Sequence, residues 1–252
     1  MVKLLDCTTR DGGFTSNWNF EDEYVYELIN CLNKSRIDYY EIGYRNSSEI
    51  DDKGQFFSCS NELLEKFSKH KENLKLGIMV DVRRFNINEF STPKNDKIDF
   101  IRIACHPQEI EQALQIAEKL HIKGYKIFVQ LMEALKLDAE GFIQLFQWQH
   151  KNILESIYIA DSYGEMTPTN VEQIFNKLKV IGYEKISFHA HNNFGLALEN
   201  TLKAIDIGAY SVDITHNGIG RGGNLDAKIL LEILDGYCAD NYANLDNVLL
   251  KN

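Results

Sequence analysis

The sequence has 252 residues, 44% of them hydrophobic and 25% charged, the balance of a chain that buries a core rather than of a disordered or fibrous one. Its 27 Lys and Arg against 37 Asp and Glu give a formal net charge of −10, spread along the chain, which argues against binding nucleic acid by phosphate neutralisation. Met1 to Cys7 reads neither as a signal peptide nor as a membrane span, and five scattered Cys residues without a CxxC pair fit reduced thiols, so a cytoplasmic protein with no nucleic-acid or membrane partner is expected.

Short β-rich runs alternate with stretches of helical period, and Gly, Pro, Asn or Asp punctuates the joins. The first strand is expected over 2–6 and runs into the polar segment Thr8-Thr9-Arg10-Asp11-Gly12-Gly13. Tyr24, Val25, Leu28, Ile29 and Leu32 then fall on one helical stripe, and a second strand follows over 37–43. The third strand covers 74–80; after it, 83–90 is short and rich in Asn, so the third helix is expected to be abbreviated or replaced by a loop. The fourth strand covers 99–104, and Pro107 suits a first helical position before the stripe Ile110, Ala113, Leu114, Ala117 and Leu120. The fifth covers 125–131, Asp138 suits an N-cap, the sixth covers 156–160, and Thr167 with Pro168 opens the next helix. The seventh, 186–191, ends in His189-Ala190-His191-Asn192-Asn193, and the eighth, 210–215, leads into 216–224 and a last helix over 225–234.

Strands alternating with helices demand parallel pairing through right-handed crossovers, and eight of them favour a closed (β/α)8 TIM barrel, as a single domain over 1–252, against an open doubly wound sheet. No GxGxxG follows the first strand, which weakens a dinucleotide-binding alternative. In a barrel of this kind, chemistry gathers where the strands end at their C-terminal side. His189 and His191, two apart on a strand, point the same way and can chelate one ion. Barrel closure makes strands seven, eight and one neighbours, which brings Asp11, and with it Asn224, within reach of the same point. That mixed set of nitrogen and oxygen donors suits Mn2+, Co2+, Fe2+ or Zn2+, with Mg2+ tolerated. An HxH pair alone reads first as two hydrogen-bonded core histidines, and its place among polar strand ends reverses that order in favour of the metal. Arg10 reads as an ion-pair partner of Asp11 or as a planar fork for a substrate carboxylate or developing enolate, and its position favours the second.

Taken together, the segment Thr8 to Gly13, Glu41-Ile42-Gly43, Ala160-Asp161-Ser162-Tyr163-Gly164 with Pro168, His189 to Ala197 and Gly218 to Asn224 resemble the DRE-TIM metallolyases. That family includes HMG-CoA lyase, 4-hydroxy-2-oxovalerate aldolase and the 2-isopropylmalate and homocitrate synthases. The resemblance implies that Asp11, His189 and His191 hold a catalytic divalent cation, Mn2+ or Mg2+ ahead of Co2+ or Zn2+, that Asn224 completes the site, and that Arg10 steadies an enolate. It leaves Glu41 to orient Arg10 or a water, or to form a structural ion pair; Asp161 carries the same two readings, and Gly43 makes room.

The departures are specific. The aldolase branch has a His three residues beyond the metal Asp, where this chain has Phe14; the HMG-CoA lyase branch has a Cys in the loop after strand eight, where 217–224 has none; the synthases carry further domains. A replacement base is sought among Tyr44, His106, Tyr163 and His216, and His216 is favoured because strand eight adjoins both metal-bearing strands. Arg45, Arg102 and Arg221 read by default as solvated or ion-paired surface groups, with contacts to a substrate anion as the alternative. The expected function is a metal-dependent aldolase or lyase that cleaves or forms a carbon–carbon bond next to a 2-oxo acid, acting on pyruvate and an aldehyde, with a homo-oligomer allowed. Its rivals are a Claisen-type acyltransferase using an acyl-CoA, a noncatalytic binding barrel, and a non-haem iron oxygenase built on the same His, His, Asp set.

Overall fold

Eight parallel strands close into a barrel in chain order: Lys3–Asp6 (β1), Tyr39–Tyr44 (β2), Lys75–Asp81 (β3), Phe100–Cys105 (β4), Lys126–Leu131 (β5), Leu154–Asp161 (β6), Ile186–Ala190 (β7) and Ser211–Ile214 (β8). The computed structural model describes residues 1–46, 52–234, 236–243 and 245. Closure is made by β1, which pairs β2 on one side and β8 on the other, from Lys3 opposite Ser211 to Asp6 opposite Ile214. Around the barrel lie Asp22–Lys34 (α1), Asn61–Ser68 (α2), Ile110–Ile122 (α3), Ala139–Gln147 (α4), Pro168–Val180 (α5), Ala197–Asp206 (α6) and Ala227–Ile233 (α7). No helix among the described residues is long and apolar enough to cross a membrane.

The helices begin where side chains take over orphan backbone donors. Asp138 accepts from the Gly141 N–H at 2.9 Å, and Thr167 and Asn170 form a reciprocal capping box behind Pro168. Between β3 and β4 no full helix forms. Two 3-10 turns, Val82–Arg84 and Ile87–Glu89, and the single turn Pro93–Asp96 take its place, because Asp81 and Asn86 hydrogen-bond their own backbone two residues on.

Strand alternation sorts the side chains into two cores. Leu5, Cys7, Tyr39, Phe100, Phe128 and Tyr158 fill the barrel lumen, whereas Leu4, Tyr40, Ile101, Ile127 and Ile157 belong to the larger core under the helices. The lumen rings meet edge to face, Tyr39 with Phe100 at 5.5 Å, Phe100 with Phe128 at 5.3 Å and Phe128 with Tyr158 at 5.8 Å between centroids. Below them, Lys3 Nζ donates to Tyr210 Oη at 2.8 Å and to Tyr39 Oη at 3.2 Å, and Tyr39 donates to Glu155 at 3.2 Å. The lower half of the barrel is therefore a packed plug, and only the upper end has polar groups to spare for chemistry.

Asp6 shows what the outward parity does to a carboxyl group. It is fully buried, accepting from the Thr8 N–H at 2.9 Å, the Thr8 hydroxyl at 3.0 Å and the Tyr242 hydroxyl at 2.9 Å. Burial outweighs these bonds and pushes its pKa from 3.8 up to about 6. A carboxyl group whose pKa is raised on folding stabilises the fold fully below its unfolded value, and that stability is lost as pH rises through the folded value. Asp6→Asn is expected to flatten a decline on the order of 3 kcal/mol between about pH 4 and 6. Urea midpoints against pH measure it, and an undiminished slope in the variant contradicts the assignment.

Candidate metal centre

β1 ends at Asp6, whose side chain caps the turn Thr8–Asp11, and that turn carries Arg10 and Asp11 to the upper end of the barrel. β7 has Ser187 and His189 in its inward phase, and His191 follows in the same phase, held by a bridge to Asn224. Asn224 lies in the loop after β8, where its N–H donates to Gly218 O at 2.8 Å. Gly220 sits in that loop at φ 148°, where a Cβ would fall 1.8 Å from Asn224 Nδ2 and 2.7 Å from Asp11 Oδ2, so only glycine lets the loop approach the carboxylate.

Asp11, His189 and His191 are all buried and each brings one ligand atom into a cluster no wider than 4.8 Å. His189 Nε2 stands 3.2 Å from His191 Nε2 and 3.9 Å from Asp11 Oδ2. His189 Nδ1 lies 2.9 Å from Asp213 Oδ2 and His191 Nδ1 lies 2.6 Å from Arg221 O. These acceptors assign the proton of each ring to Nδ1 and leave a lone pair on each Nε2. Burial holds both imidazoles below their ordinary pKa, His189 well below, so both are neutral donors. Burial opposes the charge on Asp11, but the Arg10 guanidinium beside it holds its carboxyl below the usual range.

Two lone pairs facing one another across 3.2 Å next to a carboxylate repel unless a cation lies among them. Asn224 adds a buried amide whose Nδ2 donates to Asp11 Oδ2 and to Ile219 O at 2.9 Å, while its Oδ1 has no partner. Two imidazoles, a carboxylate and an unused amide oxygen form a donor set that fits a divalent ion.

A second set of charges lies behind the first. Arg10 Nε donates to Glu41 Oε1 at 2.6 Å and its Nη1 to Asp11 Oδ1 at 2.7 Å; its Nη2 is buried without a partner. The other side of Glu41 receives Arg102, Nε to Oε2 at 2.6 Å and Nη2 to Oε1 at 2.5 Å, and Arg102 Nη1 reaches Asp213 Oδ2 at 2.6 Å. A continuous chain thus runs Asp11, Arg10, Glu41, Arg102, Asp213, His189. Two guanidinium groups face three carboxyl groups, which leaves room for added positive charge at the cluster.

The surface default for Arg102 is overturned: it is fully buried, and it binds other side chains across the lumen. Asp213, absent from the sequence-derived candidates, carried a signal there, since it shares the inward phase of Ser211 and Thr215 in a buried strand. Glu41 orients Arg10, and Gly43 makes room for the Phe56 carbonyl, 2.2 Å from where a Cβ would stand.

The expectation for His216 is corrected. Its ring lies on the helical side of the barrel wall, Nδ1 2.9 Å from Tyr24 Oη of α1 and the ring 6.2 Å from that of Tyr242. Asp213 and Thr215 point inward, so His216 takes the outward phase; adjacency of strands ignores this parity. Tyr44 lies beside Arg10, ring to guanidinium 6.0 Å, and burial pushes its phenol up to about 12. His106 and Tyr163 both turn to Glu133, at 3.8 Å and 2.5 Å. Asp161 accepts from the Glu165 and Met166 N–H groups and shapes its own turn. Arg45 is buried, donating to Cys59 O and Asn61 Oδ1, while Arg221 donates to Ser162 O at 3.0 Å.

A family model described as HMGL-like matches residues 1–247. The chain belongs to the HMGL-like family. This HMGL-like chain is 29% identical over 239 residues to a 4-hydroxy-2-oxovalerate aldolase of Carboxydothermus hydrogenoformans, covering 92% of itself and 70% of that protein. It is 26% identical over 233 residues to an oxaloacetate decarboxylase of Mycobacterium tuberculosis, covering 92% of itself and 69% of that protein. Among solved structures, the N-terminal domain of a Bacteroides vulgatus protein superposes with a TM-score of 0.86 at 29% identity, over 97% of this chain and 84% of that one.

Replacing both His189 and His191 by Ala is expected to abolish stoichiometric binding of Mn2+ after dialysis, measured by mass spectrometry of the metal content. Full occupancy in the double variant would place the ion elsewhere.

Proposed function

We propose that this chain is a divalent-metal-dependent carbon–carbon lyase that cleaves or forms the bond between C3 and C4 of a 4-hydroxy-2-oxo acid, with pyruvate as the small product or donor. The observation that carries this reading is the buried cluster of Asp11, His189 and His191 beside an Arg10 whose Nη2 has no partner. In this reading Asp11, His189, His191 and the Oδ1 of Asn224 hold the ion. Such an ion supplies Lewis acidity next to a substrate carbonyl.

Arg10 supplies the fixed donor. Two of its nitrogens are tied to Glu41 and Asp11, which locks the guanidinium plane and leaves Nη2 for the oxygen on which enolate charge develops. Glu41 and Arg102 hold that plane from behind, and Asp213 fixes the His189 ring, so the donors are preorganised before substrate arrives. Cleavage breaks C3–C4 as the C4 hydroxyl loses its proton; the aldehyde leaves and the pyruvate enolate takes a proton at C3. Tyr44, with its phenol pushed up to about 12, keeps its proton at neutral pH and serves as a donor beside Arg10 rather than as a base. The loop after β8 holds no cysteine, which sets this chain apart from the HMG-CoA lyase branch, whereas Cys7 is buried beside His189 and Asp213.

With Mn2+ and pyruvate in D2O, deuterium is expected to enter C3 without any aldehyde present, followed by NMR. Arg10→Lys keeps the charge but loses the planar fork, and it is expected to slow exchange on the order of 10²-fold while metal content holds. Wild-type exchange in that variant would make Arg10 a structural ion-pair partner only.

A further inference from the structure

A cavity of about 500 Å³ opens against Phe14, Trp18, Tyr44 and Phe57, with Lys53 and Arg84 at its rim. Three of its lining side chains approach residues of the site. Trp18 Nε1 donates to Arg10 O at 3.0 Å, the Tyr44 ring lies 6.0 Å from the Arg10 guanidinium, and the Phe14 ring lies 5.7 Å from that of Arg221, whose carbonyl holds His191. The wall is aromatic, with Trp18 4.8 Å from Phe14 and 4.9 Å from Phe57, edge to face. Trp18, Tyr44 and Phe57 are buried, whereas Phe14 is 46% exposed.

The rim has the opposite character. The Arg84 guanidinium lies 5.4 Å over the Phe57 ring, and Lys53 Nζ lies 5.7 Å over Trp18, donating to Asn17 Oδ1 at 2.9 Å. Neither cation has a carboxylate within ion-pair distance among the described residues. Asp81, the one acid of the lining among the described residues, caps its own turn through the Arg83 N–H at 2.8 Å, so the described rim is cationic on balance. An aromatic wall recognises a flat apolar body, and rim cations without a carboxylate partner recognise an anion at the far end of that body.

We infer that this cavity seats the second substrate and that the aldehyde it takes has a flat, aromatic body ending in an anionic group. The inference rests on the lyase reading, and Phe14, standing where a base would be expected, becomes part of the wall against which the aldehyde lies. The carbonyl carbon faces the pyruvate C3, and the distal carboxylate or phosphate faces Arg84 and Lys53. In the synthetic direction C3 of the enolate bonds to the carbonyl carbon, and the former carbonyl oxygen takes a proton to become the C4 hydroxyl.

The test uses the Mn2+-loaded protein, pyruvate, and the pair 4-formylbenzoate and benzaldehyde, which differ only in the anion. Aldol formation with 4-formylbenzoate is expected to exceed that with benzaldehyde at least tenfold in kcat/KM. Arg84→Gln, and independently Lys53→Gln, is expected to shrink that ratio several-fold, with unchanged melting temperatures showing that each variant is folded. Equal use of the two aldehydes by a protein that exchanges deuterium into pyruvate overturns the subsite and leaves the lyase reading standing; so does a ratio that neither variant moves. Absence of pyruvate exchange overturns the lyase reading itself, and the subsite's role as acceptor with it.

Discussion

Charge inside a barrel cannot be left bare, and the upper half of this one contains three carboxyl groups and two guanidinium groups within one connected chain. Glu41 is its hinge, because it accepts from Arg10 on one side and from Arg102 on the other while fully buried. Breaking a buried pair leaves an uncompensated charge and costs about 3–5 kcal/mol, so each member fixes the next. The result is an Arg10 that cannot swing away and a His189 whose ring nitrogen facing the site stays a lone pair. Function follows from that rigidity, since a donor aimed at a developing oxyanion helps only if it need not reorganise during reaction.

The packing below explains why the chemistry lies where it does. The aromatic layer of Tyr39, Phe100, Phe128 and Tyr158 and the Lys3, Tyr210 and Glu155 cluster fill the lumen, so water and substrate reach the charged layer from the top alone. Dry walls beneath and beside the charges strengthen every electrostatic contact among them. The same loops that bring Asp11 over the barrel also set Phe14 and Trp18 at its rim, so the metal cluster and the aromatic cavity are built by one stretch of chain.

The barrel was legible in the sequence because buried parallel strands carry apolar, β-branched and aromatic runs, and helices between them keep one apolar stripe. The missing third helix was legible too, since Asn-rich 83–90 offers side chains that compete for the backbone. HxH on a strand fixes a shared direction, which is why the pairing of His189 with His191 could be read without coordinates. Arg102 could not, because a charged residue within a strand looks like surface until Glu41 and Asp213, on other strands across the lumen, are known to meet it. His216 was misplaced for a simpler reason: adjacency of strands says nothing about which face a side chain takes, whereas counting from Asp213 does. The aromatic cavity depends on Phe14, Tyr44 and Phe57 converging from three separate segments, a convergence that no local pattern encodes.

X-ray absorption of the Co2+-substituted protein tests the account most directly, because it reports the ligands of the ion rather than their effect on rate. The account predicts two imidazole ligands, with oxygen donors making up the rest of the coordination sphere, and loss of the imidazole scattering in the variant lacking both His189 and His191. A coordination sphere of oxygen alone in the unaltered protein would contradict it.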